Sequence, residues 1–578
     1  MHPSTVYIVI AVLTFGIFSG INLHEFVDYG DKQMILGNEL VKGGLDAEHA
    51  ARAFAVEPGV AWQPLAWLSL QAQRDYFGLI VPAPYMLANL VLHILASLVL
   101  LFALSRLTLR FWPSAFVAAV YAVHPISVET LAWASARSDA LANVFFAALL
   151  ACWALYVERP SRARYAGVVV CAVLGVLSGG RFAAVPFVLL VLDVWPLGRL
   201  GFAGVRVGRF ADRPEASATR LLVEKAPLLV IGVVGLWARL FADSAVANTW
   251  GSDPGLLGRA GLVLVNVFDA AGRILWPSGL AFTVPNHVQM GLGPVPVWQA
   301  GLALVALAAI TWGLARLGAS GRPMLVGWLW FLVLTVPVAG FVPMGLRMMN
   351  DRHLQLSLVG LAVVVAFGAA WALERVPRRE IVAAVLAALV LVPLAWAARV
   401  QTDTWRDSDA LFDQALAVND RDAMALYYKA MRLARGGFET AAIAQLERAL
   451  EVYPNHIHAN LVVGQMHLQA GEPRLALVPL RRAQLGMPGS VLPRVYIAVA
   501  LMDMGETSEA MFTIDEAISL EPGSALAHVQ RARMHAGQGR SDEALADYRK
   551  ALELDPSDGV ARAELGRLER ALERAAES

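Results

Sequence analysis

Asp28 and Asp31 stand three residues apart beside the aromatic residues Phe26 and Tyr29, just beyond the first long apolar run of the chain. A carboxylate held at a membrane interface by aromatic neighbours can take a proton from a hydroxyl. A second group of ionisable residues follows the third apolar run, namely His124, Glu129, Arg137 and Asp139, and Arg181, Arg352 and His353 open later runs. Arginines at that level can grip a phosphate diester through paired hydrogen bonds. Ionisable groups at membrane depth are expensive, which makes these residues candidates for a site. The bland alternative is that the arginines snorkel to the interface and that the remaining acids of the first loop, Glu25, Glu39, Asp46, Glu48, Glu57 and Asp75, are tolerated in a translocated segment.

The elements that position these residues follow from hydropathy. The chain has 578 residues, 57% hydrophobic and 16% charged, with mean hydropathy +0.55, too apolar for a soluble protein of this length. Runs of spanning character lie near 5–23, 84–104, 114–125, 139–157, 165–178, 183–197, 226–242, 297–315, 323–343, 354–373 and 381–398, which predicts about eleven spans within residues 1–400. The first has no small-residue cleavage signature and reads as a retained anchor. A further run, 256–275, contains Arg259, Asn266, Asp269 and Arg273 and is assigned as re-entrant or interfacial. With the N-terminus cytoplasmic, the clusters Arg106/Arg110, Arg159/Arg162/Arg164, Arg316/Arg322 and Arg375/Arg378/Arg379 then fall inside, as do the basic residues from Arg199 to Lys225. The loop 24–82 and the C-terminal domain fall outside. The two cysteines, Cys152 and Cys171, lie in apolar runs, so no disulfide framework or metal cluster is expected.

Beyond Arg399 the sequence becomes amphipathic. Pro454, Pro488, Pro522 and Pro556 recur every 34 residues, in phase with Gly437, Gly471, Gly505 and Gly539 and with two sets of alanines beginning at Ala442 and Ala449. A period of 34 with this punctuation is the signature of the tetratricopeptide repeat, two antiparallel helices per unit. Residues 423–556 hold four such repeats, 403–420 resembles a degenerate leading half-repeat, and 557–578 reads as a charged capping helix. The expected fold class is therefore all-α: a polytopic membrane helical bundle followed by an α-solenoid. Such a solenoid presents a groove for an extended peptide or a partner protein, and nothing points to nucleic acid.

The whole chain resembles the transmembrane and tetratricopeptide repeat-containing proteins, whose membrane part is similar to C-type glycosyltransferases that use polyprenyl-phosphate sugars. The resemblance rests on Phe26-Val27-Asp28-Tyr29-Gly30-Asp31, Trp62-Gln63-Pro64-Leu65, His124-Pro125 with Glu129, Arg137 and Asp139, the run Pro186 to Leu197, Leu275-Trp276-Pro277, Asp351-Arg352-His353-Leu354 and Trp405-Arg406-Asp407-Ser408. The family has two adjacent acids in its first outer loop; here Asp31 matches the second and Gly30 occupies the first, with Asp28 nearby. Gln63, Ala136, Ser138 and Gly179-Gly180 also depart from the family pattern.

The resemblance implies transfer of a hexose, mannose-like, from a polyprenyl-phosphate carrier to serine or threonine hydroxyls of protein acceptors recruited by the repeats. Asp31, or Asp28 in its place, would be the general base; Arg352, Arg181 and Arg137 would neutralise the lipid phosphate; Glu129, Asp139, His124 and His353 would support them. The scheme requires no metal, although Asp28 and Asp31 have a spacing that can share a divalent cation. The arginine-rich, alanine-rich composition suggests a GC-rich bacterial genome, hence an inner-membrane protein with periplasmic repeats. The altered acidic motif leaves a second function open, a catalytically degenerate, membrane-anchored tetratricopeptide scaffold. A transporter of lipid-linked intermediates would need paired charges in mid-span, and these are not evident.

Overall fold

Leucine, valine and alanine dominate the first 400 residues, and a helix is the one segment that satisfies its own backbone where water is scarce. A computed structural model of the chain describes residues 2–57, 59–199, 217–247, 255–284, 294–341 and 349–577, and no strand occurs among them. The chain divides into two units, one containing Met1–Ala247 and Pro254–Ala425 and the other containing Leu426–Ser578.

The first unit is built on α1 (Pro3–Phe18), α2 (Ala83–Thr108), α3 (Phe111–Val123), α4 (Arg137–Glu158), α5 (Arg162–Ser178), α6 (Val185–Val194), α7 (Ala218–Ala247), α8 (Gly255–Leu275), α9 (Val297–Arg316), α10 (Gly318–Thr335), α11 (Gln355–Ala372), α12 (Arg379–Asp403) and α13 (Ser408–Val418). Among the described residues nine helices are long and apolar enough to cross a membrane, α8 included, and α3 with its bent continuation Pro125–Ala132 brings the number to ten. The expected spans 165–178 and 183–197 are present as shorter helices, α5 with 17 residues and a segment Phe182–Val194.

Contacts between helix ends give the direction of each pass. At one end of the unit, here called the loop end, Asp31 meets Ser135 before α4, and His124 after α3 bonds to Ile274. Gly179 after α5 lies beside Ser138, and Ala242 in α7 accepts from Gly59 of the first loop. Beyond α12, the Arg406 carbonyl accepts from the Glu25 N–H and Ser408 Oγ accepts from the Asp28 N–H. At the opposite end Arg106 of α2 pairs with Glu158 of α4, and Arg199 after α6 pairs with Glu224 at the start of α7. Helices α9 and α10 turn at Gly318 (φ +62°), and α10 runs antiparallel to α11 with Gly327 against Gly360. A Cβ on Gly327 would sit 2.5 Å from the Gly360 carbonyl oxygen, so this crossing needs glycine. By these contacts α1–α7 and α9–α12 alternate between the two ends, whereas by length and composition nine of the described helices, α8 among them, or ten with the bent α3, could cross a membrane, against the eleven expected from the sequence with 256–275 set apart.

In the second unit the repeats form α14 (Ala423–Arg435), α15 (Glu439–Val452), α16 (Ile457–Gln469), α17 (Pro473–Gly486), α18 (Leu492–Asp503), α19 (Thr507–Leu520), α20 (Ala525–Gly537) and α21 (Ser541–Leu554), closed by α22 (Gly559–Glu577). Gly437, Gly471, Gly505 and Gly539 all take positive φ, between 76° and 84°, at the turn inside each repeat. The in-phase alanines, Ala442 and Ala449 and their equivalents up to Ala544 and Ala551, are fully buried, where a small side chain lets the paired helices close. Each repeat-ending proline also offers its carbonyl to the side chain six residues on: Asn460, Arg494, His528 and Arg562 bond to Pro454, Pro488, Pro522 and Pro556. Helix α16 touches α18, and α18 touches α20, so the first helices of successive repeats line one face. The expected half-repeat 403–420 forms α13 inside the first unit, where Phe412 meets Phe282 and Val418 lies beside Gly279.

Candidate functional site

Asp31 closes the turn that begins at Val27 and is fully buried. Its Oδ2 accepts from the Val27 N–H at 3.2 Å, while Oδ1 accepts from the Ser135 N–H at 2.9 Å and the Ser135 hydroxyl at 2.6 Å. Burial pushes the carboxyl up from 3.8 to about 7, and the Ser135 and Val27 bonds hold it back from rising further. Asp28 is also buried but faces elsewhere: its carboxylate pairs with Lys32 at 2.6 Å and its backbone N–H donates to Ser408 Oγ at 2.9 Å. The two acids therefore engage different partners, and among the described residues no three His, Cys, Asp or Glu side chains converge as metal ligands.

Gly30 between them has φ +86°, and a Cβ there would come within 2.8 Å of the Trp133 ring. This turn therefore disfavours any side chain at position 30. Trp133 stacks on Tyr29 at 5.0 Å, and Phe282 meets Tyr29 edge-on at 4.7 Å.

Arg352 lies over the same tryptophan, its guanidinium 4.8 Å from the Trp133 ring centre. Glu129 forms a hydrogen-bonded ion pair with the Arg352 guanidinium and accepts from its backbone N–H at 2.9 Å, and Asp139 approaches Nε at 3.2 Å. Two carboxylates thus already balance this arginine. Asn350 bridges Glu129 to the Tyr29 hydroxyl at 3.4 and 3.3 Å, and the half-buried His353 is held through its N–H to the Asn350 carbonyl at 3.0 Å. Arg273 of α8 pairs with Asp351 at 3.0 Å.

Arg137 is buried and donates to Asn89 Oδ1, Ser69 Oγ and the Tyr85 carbonyl, so it clamps the helix Pro64–Phe77 and α2 to α4 through neutral acceptors. His124 bonds to the Ile274 carbonyl through Nε2 at 2.9 Å and receives the Ile126 N–H at Nδ1, a cap on the bend after α3. The structure thus brings Asp31, Glu129, Asp139, Arg352 and His353 to one end of the unit. The side chain of Arg181 lies outside the described residues, as does Arg347.

Sequence reasoning missed two polar groups. Gln355 is a buried hub that joins Thr130, Asn143, His93 and Ser127. At the opposite end, buried Asp193 binds both Lys225 and Arg199, with Lys225 lying over the Trp153 ring. A lone acid in an apolar run was the available signal for Asp193.

Together the two units define an all-α chain with an apolar helical bundle and a repeat solenoid. The tetratricopeptide repeat model matches residues 525–558, so the array carries this repeat. Among solved structures, YrrB, described as a tetratricopeptide protein with an unusual peptide-binding site, is 22% identical and covers 27% of this chain and 81% of its own (TM-score 0.25). A thermophilic tetratricopeptide protein of Thermus thermophilus, TTC0263, is 25% identical over 28% of this chain and 89% of its own (TM-score 0.25). MamA from Desulfovibrio magneticus is 20% identical over 26% and 86% (TM-score 0.25). No curated protein matches the sequence.

Proposed function

We propose that the chain is a membrane-anchored tetratricopeptide protein whose repeats bind an extended segment of a partner protein. The observation that carries this reading is the four-repeat register, with the first helices of successive repeats touching along one face. The bundle is the anchor: nine of its described helices, or ten with the bent α3, are long and apolar enough for a bilayer. Residues Arg406 and Ser408, after α12, bond to Glu25 and Asp28 at the loop end of the first unit, and the positive-inside pattern of the basic clusters supports an extracytoplasmic 24–82 loop.

A photo-crosslinking residue at Leu461 or Val499, on first helices, tests the reading in cells expressing the full chain. A discrete adduct at these positions, and none at exposed Phe512 on a second helix, supports it. Equal labelling at all three contradicts it.

A second reading, hexose transfer from a polyprenyl-phosphate carrier to serine or threonine hydroxyls, draws on the gathering of Asp31, Glu129, Asp139 and Arg352 at the loop end. A carboxyl near 7 suits a general base. In this reading Asp31 takes the acceptor proton, with Asp28 as its substitute, and Arg352, Arg181 and Arg137 face the lipid phosphate. Two features favour the binding reading over it. Arg352 is already neutralised by Glu129 and Asp139, and Asp31 spends its oxygens on Ser135 and Val27.

A further inference from the structure

Helix α8 has the length and hydropathy of a span, 21 residues with a mean hydropathy of 1.3, yet contacts near its start, in its middle and at its end lie at the loop end. Near its start, Gly261 faces Val295 and Ala300, at the head of α9. In its middle, Asn266 donates to the Ala339 carbonyl, beyond the end of α10. At its end, Arg273 pairs with Asp351, and the Ile274 carbonyl accepts from His124. The helix before it, α7, also finishes at this end, where Ala242 accepts from Gly59. A helix of this length extends roughly 30 Å, so contacts at one end of the unit from its first, middle and last turns indicate that it lies across the bundle.

Its sequence divides into three stripes at 3.6 residues per turn. Val263, Val267, Ala270 and Ile274 are buried against the unit. Arg259, Asn266, Asp269 and Arg273 form a polar stripe. On the opposite side from that polar stripe run Leu257, Leu264, Phe268, Ala271 and Leu275, partly or largely exposed. One side of the helix is thus polar and is tied to the unit through Asn266, Arg273 and the buried Leu262, the next face is buried against the unit, and the far side is apolar. A helix lying in a membrane surface turns an apolar stripe to acyl chains and keeps its polar residues toward water or its own bundle, as the exposed Asp269 and the bonded Asn266 and Arg273 do here. Beside it, Trp276 is 78% exposed and Trp298, at the head of α9, is 68% exposed, both at the level where tryptophan prefers to sit in a bilayer.

We infer that α8 is an interfacial helix that docks on the bilayer surface at the loop end, presenting Leu257, Leu264, Phe268 and Leu275 to lipid. The inference rests on the membrane reading above. It also accounts for the odd number of passes, because a crossing α8 would send the chain out at the end opposite to Glu25 and Asp28, contrary to the Arg406 and Ser408 bonds.

The test uses the full chain in sealed vesicles, with Cys152 and Cys171 replaced by alanine and single cysteines introduced by Gly255→Cys, Ser278→Cys and, as the loop reference, Glu57→Cys. All three are expected to react with a membrane-impermeant maleimide from the same side; reaction of Gly255→Cys and Ser278→Cys from opposite sides overturns the inference. Spin labels at Phe268 and Asp269 then read the stripes. Collision with oxygen is expected to dominate at Phe268 and collision with a water-soluble nickel chelate at Asp269; the reverse order, or no contrast, overturns the lipid-facing assignment. Carbonate washing separates the two levels: a chain released by carbonate contradicts the membrane reading and α8 with it, whereas a retained chain with opposite-side labelling contradicts α8 alone.

Discussion

Ser135 holds Asp31 twice, with its backbone N–H at 2.9 Å and its hydroxyl at 2.6 Å from the same carboxylate oxygen, across 104 residues of sequence. This contact ties the turn after α1 to the start of α4. Asp31→Ala would leave a buried N–H and hydroxyl without an acceptor, an expected loss of about 1–3 kcal/mol. Ser135→Ala keeps the backbone bond and should lose less. Unfolding temperatures of the detergent-solubilised variants check the order, and a larger loss for Ser135→Ala would contradict it.

The same carboxyl gives the stability a pH dependence. Burial raises it from 3.8 to about 7, so across that window the folded chain keeps a proton that the unfolded chain has released. Its contribution is therefore fully present at and below pH 4 and is lost as pH rises through 7. The slope approaches about 1.4 kcal/mol per pH unit within the window. Asp31→Asn should remove it, so denaturant midpoints of wild type and variant at pH 4, 5.5 and 7 should show the wild type losing ground as pH rises; a wild type that gains ground has the wrong sign.

Arg352 is the shared cation of Glu129 and Asp139, all three largely buried. Arg352→Met leaves two carboxylates close together without it, and such broken buried pairs cost about 3–5 kcal/mol. Arg352→Lys retains the charge without the fork and should fall between wild type and Met in denaturant midpoint. A Met variant as stable as wild type would refute the ion cluster.

Gly30→Ala combines a positive φ with a Cβ driven into Trp133. Strain of this kind costs about 1–3 kcal/mol. Gly30→Asp should suffer at least as much, so restoring the acidic pair of the resembled family is expected to lower the unfolding temperature; an unchanged or raised value would show that the turn adapts.

What the sequence made legible is what repeats or runs locally. The 34-residue register specified every helix pair from 423 to 554, because each repeat makes its contacts with its neighbours, and glycine and proline mark the turns. The apolar runs also located the helices of the first unit, although nine or ten rather than eleven are long and apolar enough to cross a membrane and the 256–275 run is one of them. The partners within the site were not legible. Glu129 and Arg352 lie 223 residues apart, and no local pattern records that their helices end side by side. Arg137 carries the same lesson: as an arginine near an interface it suggested phosphate, while the fold surrounds it with Asn89, Ser69 and the Tyr85 carbonyl.

The repeats are the working part of the chain on this reading, and Asp31 is a structural tie. The most direct test is glycopeptide analysis of proteins on the loop side of the membrane, from cells carrying wild type, a deletion of the gene, or Asp31→Ala expressed at a temperature where the variant is folded and inserted. Serine- and threonine-linked hexose is predicted to be the same in all three; its loss in both the deletion and the Asp31→Ala cells would contradict the account and establish transfer chemistry at the loop end.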